Sequence, residues 1–199
     1  MATETRDRIL AALRALLAEG GTDAVTLEAV AARAGVSKGG LLYHFSSKAA
    51  LYTGLLEKVR ETVITEMADA TTRSGAARGF LEYSTPTQDD EAGFFTSLIA
   101  AVRTGQSRDW AGQGRDSGPD GRGPNSGPGA DPDPAGALLV DTFRAWEEPM
   151  RAVVPDPVQA ETIRLVGFGL YLAELAGLPP VDPAVLGRVF DRVLEGTAG

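Results

Sequence analysis

The fold is decided by one stretch of sequence, Thr26-Leu-Glu-Ala-Val-Ala-Ala-Arg-Ala-Gly-Val-Ser-Lys-Gly-Gly-Leu-Leu-Tyr-His-Phe-Ser-Ser-Lys48. Its first residue can cap a short helix with one apolar stripe, formed by Leu27, Val30, Ala31 and Ala34. Gly35 follows where a tight left-handed turn is needed. Ser37 can cap a second helix of about eight residues, whose inward face holds Leu41 and Phe45. Two short helices joined by a glycine-containing turn predict a helix-turn-helix.

The rest of the chain has helical patterns as well. Apolar residues repeat at helical spacing from Ile9 to Leu17, and Gly20-Gly21 ends that pattern where a helix C-cap would. A longer helix is predicted from Ser47-Lys48 to about Ala70. Further helices are expected at about 74–84, 90–105, 137–153, 157–176 and 183–195. We find no convincing alternating strand pattern, so the sequence predicts an all-α protein.

Residues 111–136 differ from the rest in composition. Eight glycines and five prolines occupy 13 of these 26 positions. Such a stretch cannot bury enough apolar surface to offset the entropy of ordering it. We interpret it as a flexible Gly/Pro-rich loop or linker, with a functional lid as the alternative.

The composition excludes several kinds of chemistry. The 199-residue chain has no cysteine, which rules out disulfides, thiolate metal sites and cysteine nucleophiles. Its single histidine, His44, argues against a histidine-rich metal site and a histidine-based triad. No catalytic residue, metal ligand or cofactor is predicted. No apolar run approaches the roughly 20 residues of a membrane-spanning helix, so we expect a cytoplasmic protein with no membrane partner.

The net charge of −8 argues at first against a nucleic-acid partner, because proteins that bind phosphates usually carry a basic surface. The charge is, however, divided unevenly along the chain. Residues 1–60 carry a net charge of +2 and include all three lysines, whereas the rest carries −10. This division indicates a small phosphate-facing module joined to an acidic body.

The quoted stretch resembles the N-terminal DNA-binding signature of TetR-type transcriptional regulators, and the likeness covers about residues 6–55. It rests on a capped helix, an Ala-Gly turn, a Ser-capped second helix, a His-Phe exit and a Ser-Lys entry at fixed spacing. The resemblance implies a three-helix DNA-binding domain with a helix-turn-helix at 1–47. It further implies a larger helical domain for effector binding and dimerisation at 48–199. We expect no enzymatic activity, because the sequence has no recognisable catalytic group, metal-ligand cluster or phosphate loop.

By that resemblance, several residues in and around the motif are expected to contact a double-stranded DNA operator, mostly at phosphates: Thr26, Ser37, Lys38, Gly39, Tyr43, His44 and Lys48. Gly39 and Gly40 agree with this, since each glycine in a helix costs about 1 kcal/mol relative to alanine. A short helix tolerates that cost when its backbone must approach a DNA groove closely. The alternative is that these glycines merely loosen a turn.

Two positions depart from the family pattern. This chain has Leu42 where family members commonly carry an aromatic residue, and Gly40 where a polar side chain is often found. We hypothesise that Leu42 contacts thymine methyl groups while Lys38 supplies the main hydrogen bonds to guanine.

Beyond residue 70 the resemblance implies a pocket for a small-molecule effector of unknown identity. Large apolar side chains could form its walls: Phe80, Tyr83, Phe94, Phe95, Phe143, Trp146, Met150, Phe168 and Tyr171. The alternative for each is that it simply fills the core. A run of acidic residues would favour a cationic effector if it faced inward and is otherwise a solvated face: Glu82, Asp89, Asp90 and Glu91.

The last two predicted helices, about residues 157–195, are the best candidates for a homodimer interface. The first has an apolar stripe and small residues that allow close helix contact: Leu165, Phe168, Leu172 and Leu175 with Gly167, Gly169, Ala173 and Ala176. The second offers Val185, Val189, Phe190 and Val193. Packing within one chain would use the same pattern.

These observations lead to one functional hypothesis and its alternatives. We expect a repressor that a small-molecule effector releases from a palindromic operator. A second hypothesis is a DNA-binding regulator without a small-molecule switch. An all-α enzyme lacks a recognisable catalytic group. An all-α interaction protein would keep its activity when Lys38 or Tyr43 is replaced.

Overall fold

The computed structural model describes residues 2–85, 89–104 and 134–197. Regular structure in these ranges is entirely helical, with one short 3-10 turn at Thr22–Ala24. The helices are α1 (Ala2–Gly20), α2 (Leu27–Ala34), α3 (Lys38–His44), α4 (Lys48–Ser74), α5 (Ala76–Tyr83), α6 (Asp89–Arg103), α7 (Pro134–Val153), α8 (Pro157–Leu175) and α9 (Pro183–Leu194). The predicted all-α fold is confirmed.

Two helix ends differ from the prediction by three residues or more. Helix α7 begins at Pro134, so residues 134–136 belong to a helix and not to the predicted loop. Proline is well suited to a first helical position, because its N–H would have no intrahelical partner there. The remainder of that loop, residues 111–133, lies outside the described residues. Helix α4 continues to Ser74 and is followed by Gly75, whose φ of 79° belongs to the left-handed region.

The chain divides into two compact units. The first consists of Met1–Glu57 and Ser97–Leu139, and the second of Lys58–Thr96 and Val140–Gly199. In the first unit, helix α1 packs against α2. Fully buried side chains from four helices form its core: Ile9, Leu13, Leu17, Val30, Leu41, Leu51 and Leu56. Burial of this apolar surface is what holds the short α2 and α3 in place, because isolated helices of eight residues are unstable in water.

The second unit has an aromatic core. Phe80 of α5 is fully buried, with its ring centroid 5.9 Å from those of Trp146 and Phe168. Gly167 of α8 lies so close to the Phe80 ring and to Ser84 that a Cβ atom there would overlap them. Gly167 therefore allows α8 to pack tightly on α5.

Candidate nucleic-acid interface

The turn between α2 and α3 is fixed by local hydrogen bonds. The Thr26 hydroxyl caps α2 by accepting from the Ala29 N–H at 3.1 Å, and the Ser37 hydroxyl caps α3 by accepting from the Gly40 N–H at 3.0 Å. Between them Gly35 has a φ of 65°, a conformation that costs glycine little. The three residues thus set the direction in which α3 leaves α2.

Helix α3 has one buried side and one exposed side. Leu41 and the following Phe45 are buried and anchor the helix in the core of the first unit. The opposite side presents Lys38, Leu42 and Tyr43 to solvent, with Tyr43 86% exposed. The Tyr43 and His44 rings meet edge to face, with centroids 5.3 Å apart. Apart from Lys48, every predicted DNA contact is exposed or half-exposed.

The buried end of α3 is held by Arg6 of α1. Its guanidinium carbon lies 5.3 Å from the centroid of the Phe45 ring. The same group pairs with the Glu57 carboxylate of α4 at 3.1 Å. Arg6 therefore joins three helices of the first unit, and sequence reasoning did not identify this role because its partners are 39 and 51 positions away.

Lys48 differs from the other predicted contacts because the residue is only 8% exposed. Its Nζ lies 5.9 Å from the centroid of the Tyr52 ring, which is itself fully buried. Burial raises the pKa of the Tyr52 hydroxyl. The side chain of Lys48 therefore packs along α4, of which Lys48 is the first residue.

Two exposed ion pairs flank the motif. The Lys38 Nζ lies 2.7 Å from Oε1 of Glu28, which joins the first residue of α3 to the first turn of α2. The Arg33 guanidinium holds both carboxylate oxygens of Glu19 on α1. The hydrogen bond from Lys38 lowers the pKa of Glu28, and that from Arg33 lowers the pKa of Glu19. Sequence reasoning did not single out Glu28, because its closeness to Lys38 depends on the angle between the two helices.

The nine predicted pocket residues are largely engaged with one another. Trp146 is the centre of a cluster, with ring centroids of five aromatic neighbours within 5.9 Å: Phe80, Tyr83, Phe143, Phe168 and Tyr171. Phe95 extends the cluster by contacting Phe94 and Tyr171. Met150 is fully buried. Their role as walls of an effector pocket remains a prediction. Of the acidic run, Glu82 is exposed, and its carboxylate accepts a hydrogen bond from Ser74.

A separate groove of about 510 Å³ runs between α4 and α7 within the second unit. None of the nine predicted residues lines it. Its lining is formed by Arg60, Ile64, Met67, Ala68, Thr71, Ala145, Glu148, Pro149 and Ala152. Pro149 has no N–H, so the Ala145 carbonyl lacks its usual donor within α7. The Thr71 hydroxyl is buried with no hydrogen-bond partner among the described residues. Helical spacing in the sequence could have shown which groove residues share a face of α4 or of α7. It could not have shown that these two helices lie side by side.

Neither metal ligation nor membrane insertion is indicated by the described part of the chain. No group of three or more His, Asp or Glu side chains is placed there to hold a metal ion. No helix within it is long and apolar enough to cross a membrane.

Two family models match the sequence. The model of bacterial regulatory proteins of the tetR family matches residues 9–55. A tetracyclin repressor-like C-terminal domain matches residues 133–198. The two matches together cover more than half of the chain, and the first includes the entire helix-turn-helix.

Individual proteins are similar to this chain to different extents. Nucleoid occlusion factor SlmA of Idiomarina loihiensis is 40% identical over 62 residues, or 31% of this chain and 32% of that protein. The chain thus matches about a third of the length of this curated relative. The solved structure of the transcriptional regulator SCO7518 from Streptomyces coelicolor A3(2) has a TM-score of 0.67 at 18% identity, covering 96% of this chain and 98% of that one.

A further structure is that of NalD, the secondary repressor of the MexAB-OprM multidrug efflux pump in Pseudomonas aeruginosa. Its TM-score is 0.54 at 20% identity, with 98% of this chain and 94% of that one covered. At such low identity the structural likenesses concern the fold, whereas the family models identify the regulator. The chain belongs to the TetR family of bacterial regulatory proteins and is a DNA-binding transcriptional regulator, not an enzyme.

Proposed function

We propose that this regulator is a cytoplasmic repressor that binds a palindromic operator as a homodimer and is released by a small-molecule effector. Residues 1–47 would form the DNA-binding domain and 48–199 the effector-binding and dimerisation domain. The observation that carries the DNA-binding part is the two-sided character of α3, which anchors Leu41 in the core and presents Lys38 and Tyr43 to solvent.

In this proposal each residue of the interface has a distinct role. The hydroxyls of Thr26 and Ser37 accept from the backbone, which leaves the hydroxyl hydrogen of each to donate to a phosphate. Tyr43 and His44 also contact phosphates, and the backbone at Gly39 and Gly40 allows close approach to the groove. Lys38 and Leu42 meet base edges, the first at guanine and the second at thymine methyl groups.

Replacing Tyr43 by alanine tests this placement. We expect Tyr43→Ala to weaken binding to a random-sequence 30-base-pair duplex about tenfold or more, because a hydrogen bond to a charged phosphate contributes about 1.5–3 kcal/mol. Fluorescence anisotropy over a salt titration measures the affinity and its salt slope. Val140→Ala is a control, since Val140 is also exposed but lies on α7. Equal affinities for the two variants would contradict the proposed interface.

The proposed dimer is supported by an apolar stripe on α8. Val158, Leu165 and Leu172 recur every seven residues and are all exposed, with Leu172 at 64%. Seven-residue spacing places side chains on one face of a helix, as in paired helices. On α9 an apolar surface is lined by Val185, Val189 and Val193 with two arginines beside them. Contiguous exposed apolar surfaces of this kind mark interaction sites. A second copy of the chain, related by twofold symmetry, would cover them.

A charge placed in that stripe should separate the dimer. We expect Leu172→Glu to weaken dimerisation about a hundredfold or more, because an unpaired charge buried in an interface costs several kcal/mol. Sedimentation equilibrium measures the effect. Val140→Glu adds the same charge at an exposed position of α7 and should leave the dimer intact. A monomeric wild type, or a Leu172→Glu variant that dimerises normally, would refute this interface.

For the effector we favour the groove between α4 and α7, since it offers an open volume, a Thr71 hydroxyl unpartnered in the described part of the chain, and an Ala145 carbonyl that Pro149 leaves without its helical donor. Helix α4 begins four residues after α3 ends, so a ligand that moves α4 would alter the spacing of two recognition helices. The coupling is reciprocal, and operator DNA should weaken effector binding by the same factor. An effector that binds tightly but leaves operator affinity unchanged would contradict the mechanism.

A second candidate is a DNA-binding regulator without a small-molecule switch. The 40% identical stretch in SlmA favours it, because that protein is named as a nucleoid occlusion factor. The name of NalD favours the repressor. The DNA that the protein protects upstream of its own gene is first mapped by footprinting and then placed before a reporter. Compounds that relieve repression of the reporter support the switch, and binding that persists in their presence supports the second candidate.

A further inference from the structure

The ion pair between Lys38 and Glu28 lies where the proposed interface meets DNA. Lys38 is the first residue of α3, and Glu28 stands two positions after the Thr26 cap of α2. Both side chains are more than half exposed, with Nζ and Oε1 2.7 Å apart. A negatively charged carboxylate therefore lies on the surface that is proposed to bind the negatively charged phosphates of DNA.

Stability of the fold does not account for this arrangement. Exposed ion pairs contribute about 0–1 kcal/mol to folding, because water screens them and ordering the two side chains costs entropy. The Arg33–Glu19 pair connects α1 and α2 through two hydrogen bonds, since the guanidinium engages both oxygens of the carboxylate. Such a bidentate pair is stronger than the single contact between Lys38 and Glu28. A single-point contact at the DNA-facing side calls for another explanation.

We propose that Glu28 is a specificity-determining residue, which reads one G·C base pair in the major groove jointly with Lys38. Lys38 uses one of its three N–H donors on Glu28, and the Glu28 carboxylate retains acceptor sites beyond that bond. The pair thus presents the two remaining Lys38 donors beside a carboxylate acceptor. A G·C pair presents the complement, because guanine N7 and O6 are adjacent acceptors and the cytosine N4 amino group next to them donates, whereas an A·T pair places its amino group between two acceptors.

A phosphate, in contrast, complements only half of the pair. It attracts Lys38 and repels Glu28. Non-specific binding to phosphates therefore has to compete with Glu28 for the Lys38 ammonium group. At a G·C pair of the right orientation, both groups gain a partner while the ion pair stays intact. Glu28 therefore lowers affinity for random DNA more than it lowers affinity for the operator.

The test uses the intact protein and rests on the proposed interface. Duplexes are selected from a random pool by the wild type, and binding of the best-bound duplex and of a random-sequence 30-base-pair duplex is then measured. We expect Glu28→Gln to bind the random duplex about two- to fivefold more tightly, the range expected for release of an exposed ion pair. Duplexes selected from the random pool by Glu28→Gln or by Lys38→Gln should show a weaker preference for G·C at the position that the wild type reads.

Three comparisons decide the result. Glu19→Gln makes the same change in net charge at the Arg33–Glu19 pair. An equal gain in affinity for the random duplex would mean that the Glu28 effect comes only from net charge, and it would overturn the proposal. In a Lys38→Gln background, Glu28→Gln should have a smaller effect than in the wild type, whereas an undiminished effect would overturn joint reading. Unchanged selection by Lys38→Gln itself would instead count against the interface. Thermal unfolding of each variant confirms that it is folded.

Discussion

Phe80→Ala is expected to lower the free energy of unfolding by about 3–5 kcal/mol, the usual cost of removing a buried phenylalanine ring. Phe80 is fully buried on α5, and its ring contacts Trp146 and Phe168 from two other helices. The cavity left behind cannot close easily, because the neighbouring rings are held by their own partners in the aromatic cluster. Urea denaturation followed by tryptophan fluorescence and by circular dichroism measures the loss.

Val153→Ala supplies the comparison, since it also removes apolar atoms from the second unit but at an exposed position. We expect a change within about 0.5 kcal/mol for this variant. Similar losses for both variants would mean that the aromatic cluster is not the tightly packed core described above. A pocket-wall role for Phe80 would also be favoured if Phe80→Ala changed stability little.

Gly167→Ala should destabilise the protein by about 1–3 kcal/mol, the typical cost of forcing extra atoms into a packed core. The added methyl group would overlap the Phe80 ring and lie 2.8 Å from the Ser84 hydroxyl oxygen. Ser84 cannot move away without cost, because it is buried and its hydroxyl donates to the Phe80 carbonyl at 2.6 Å. Thermal and urea unfolding at a single protein concentration measure this effect.

Gly169→Ala is the matched control on the same helix. Nothing lies within 4 Å of a Cβ atom at Gly169, so the change should stabilise α8 by about 0.5–1 kcal/mol through helix propensity. Gly169 shares the exposed face of α8 with Leu165 and Leu172, four and three residues away. Repeating both measurements at several protein concentrations shows whether that face is covered in a dimer. Equal destabilisation by the two substitutions would contradict the tight packing of α8 on α5.

The helices of the motif could be predicted because their determinants are local. Thr26, Gly35 and Ser37 act through hydrogen bonds and backbone angles within four residues, so the sequence order itself carries the information. The predicted loop extended too far, to residue 136, because it included Pro134. Proline is common both in loops and at the first position of a helix, and here it begins α7.

Features that depend on the angle between helices were not predictable in the same way. Helical spacing assigned both Gly167 and Gly169 to the same small-residue pattern, yet Gly167 packs within the chain and Gly169 does not. Resemblance placed Lys48 among the DNA contacts, but its burial beside the Tyr52 ring could not be read from the motif. Glu28 and Lys38 are ten residues apart, and only the α2–α3 crossing brings them to 2.7 Å.

The exposed stripe of α8 also bears on how the regulator responds to its own abundance. If two copies must join through this stripe before the operator is bound, the amount of active species falls with the square of monomer concentration below the dimer Kd. Halving the synthesis rate would then leave about a quarter of the dimer by mass action. Leu165 and Leu172 would in this way make gene dosage, and not only an effector, an input to transcriptional control.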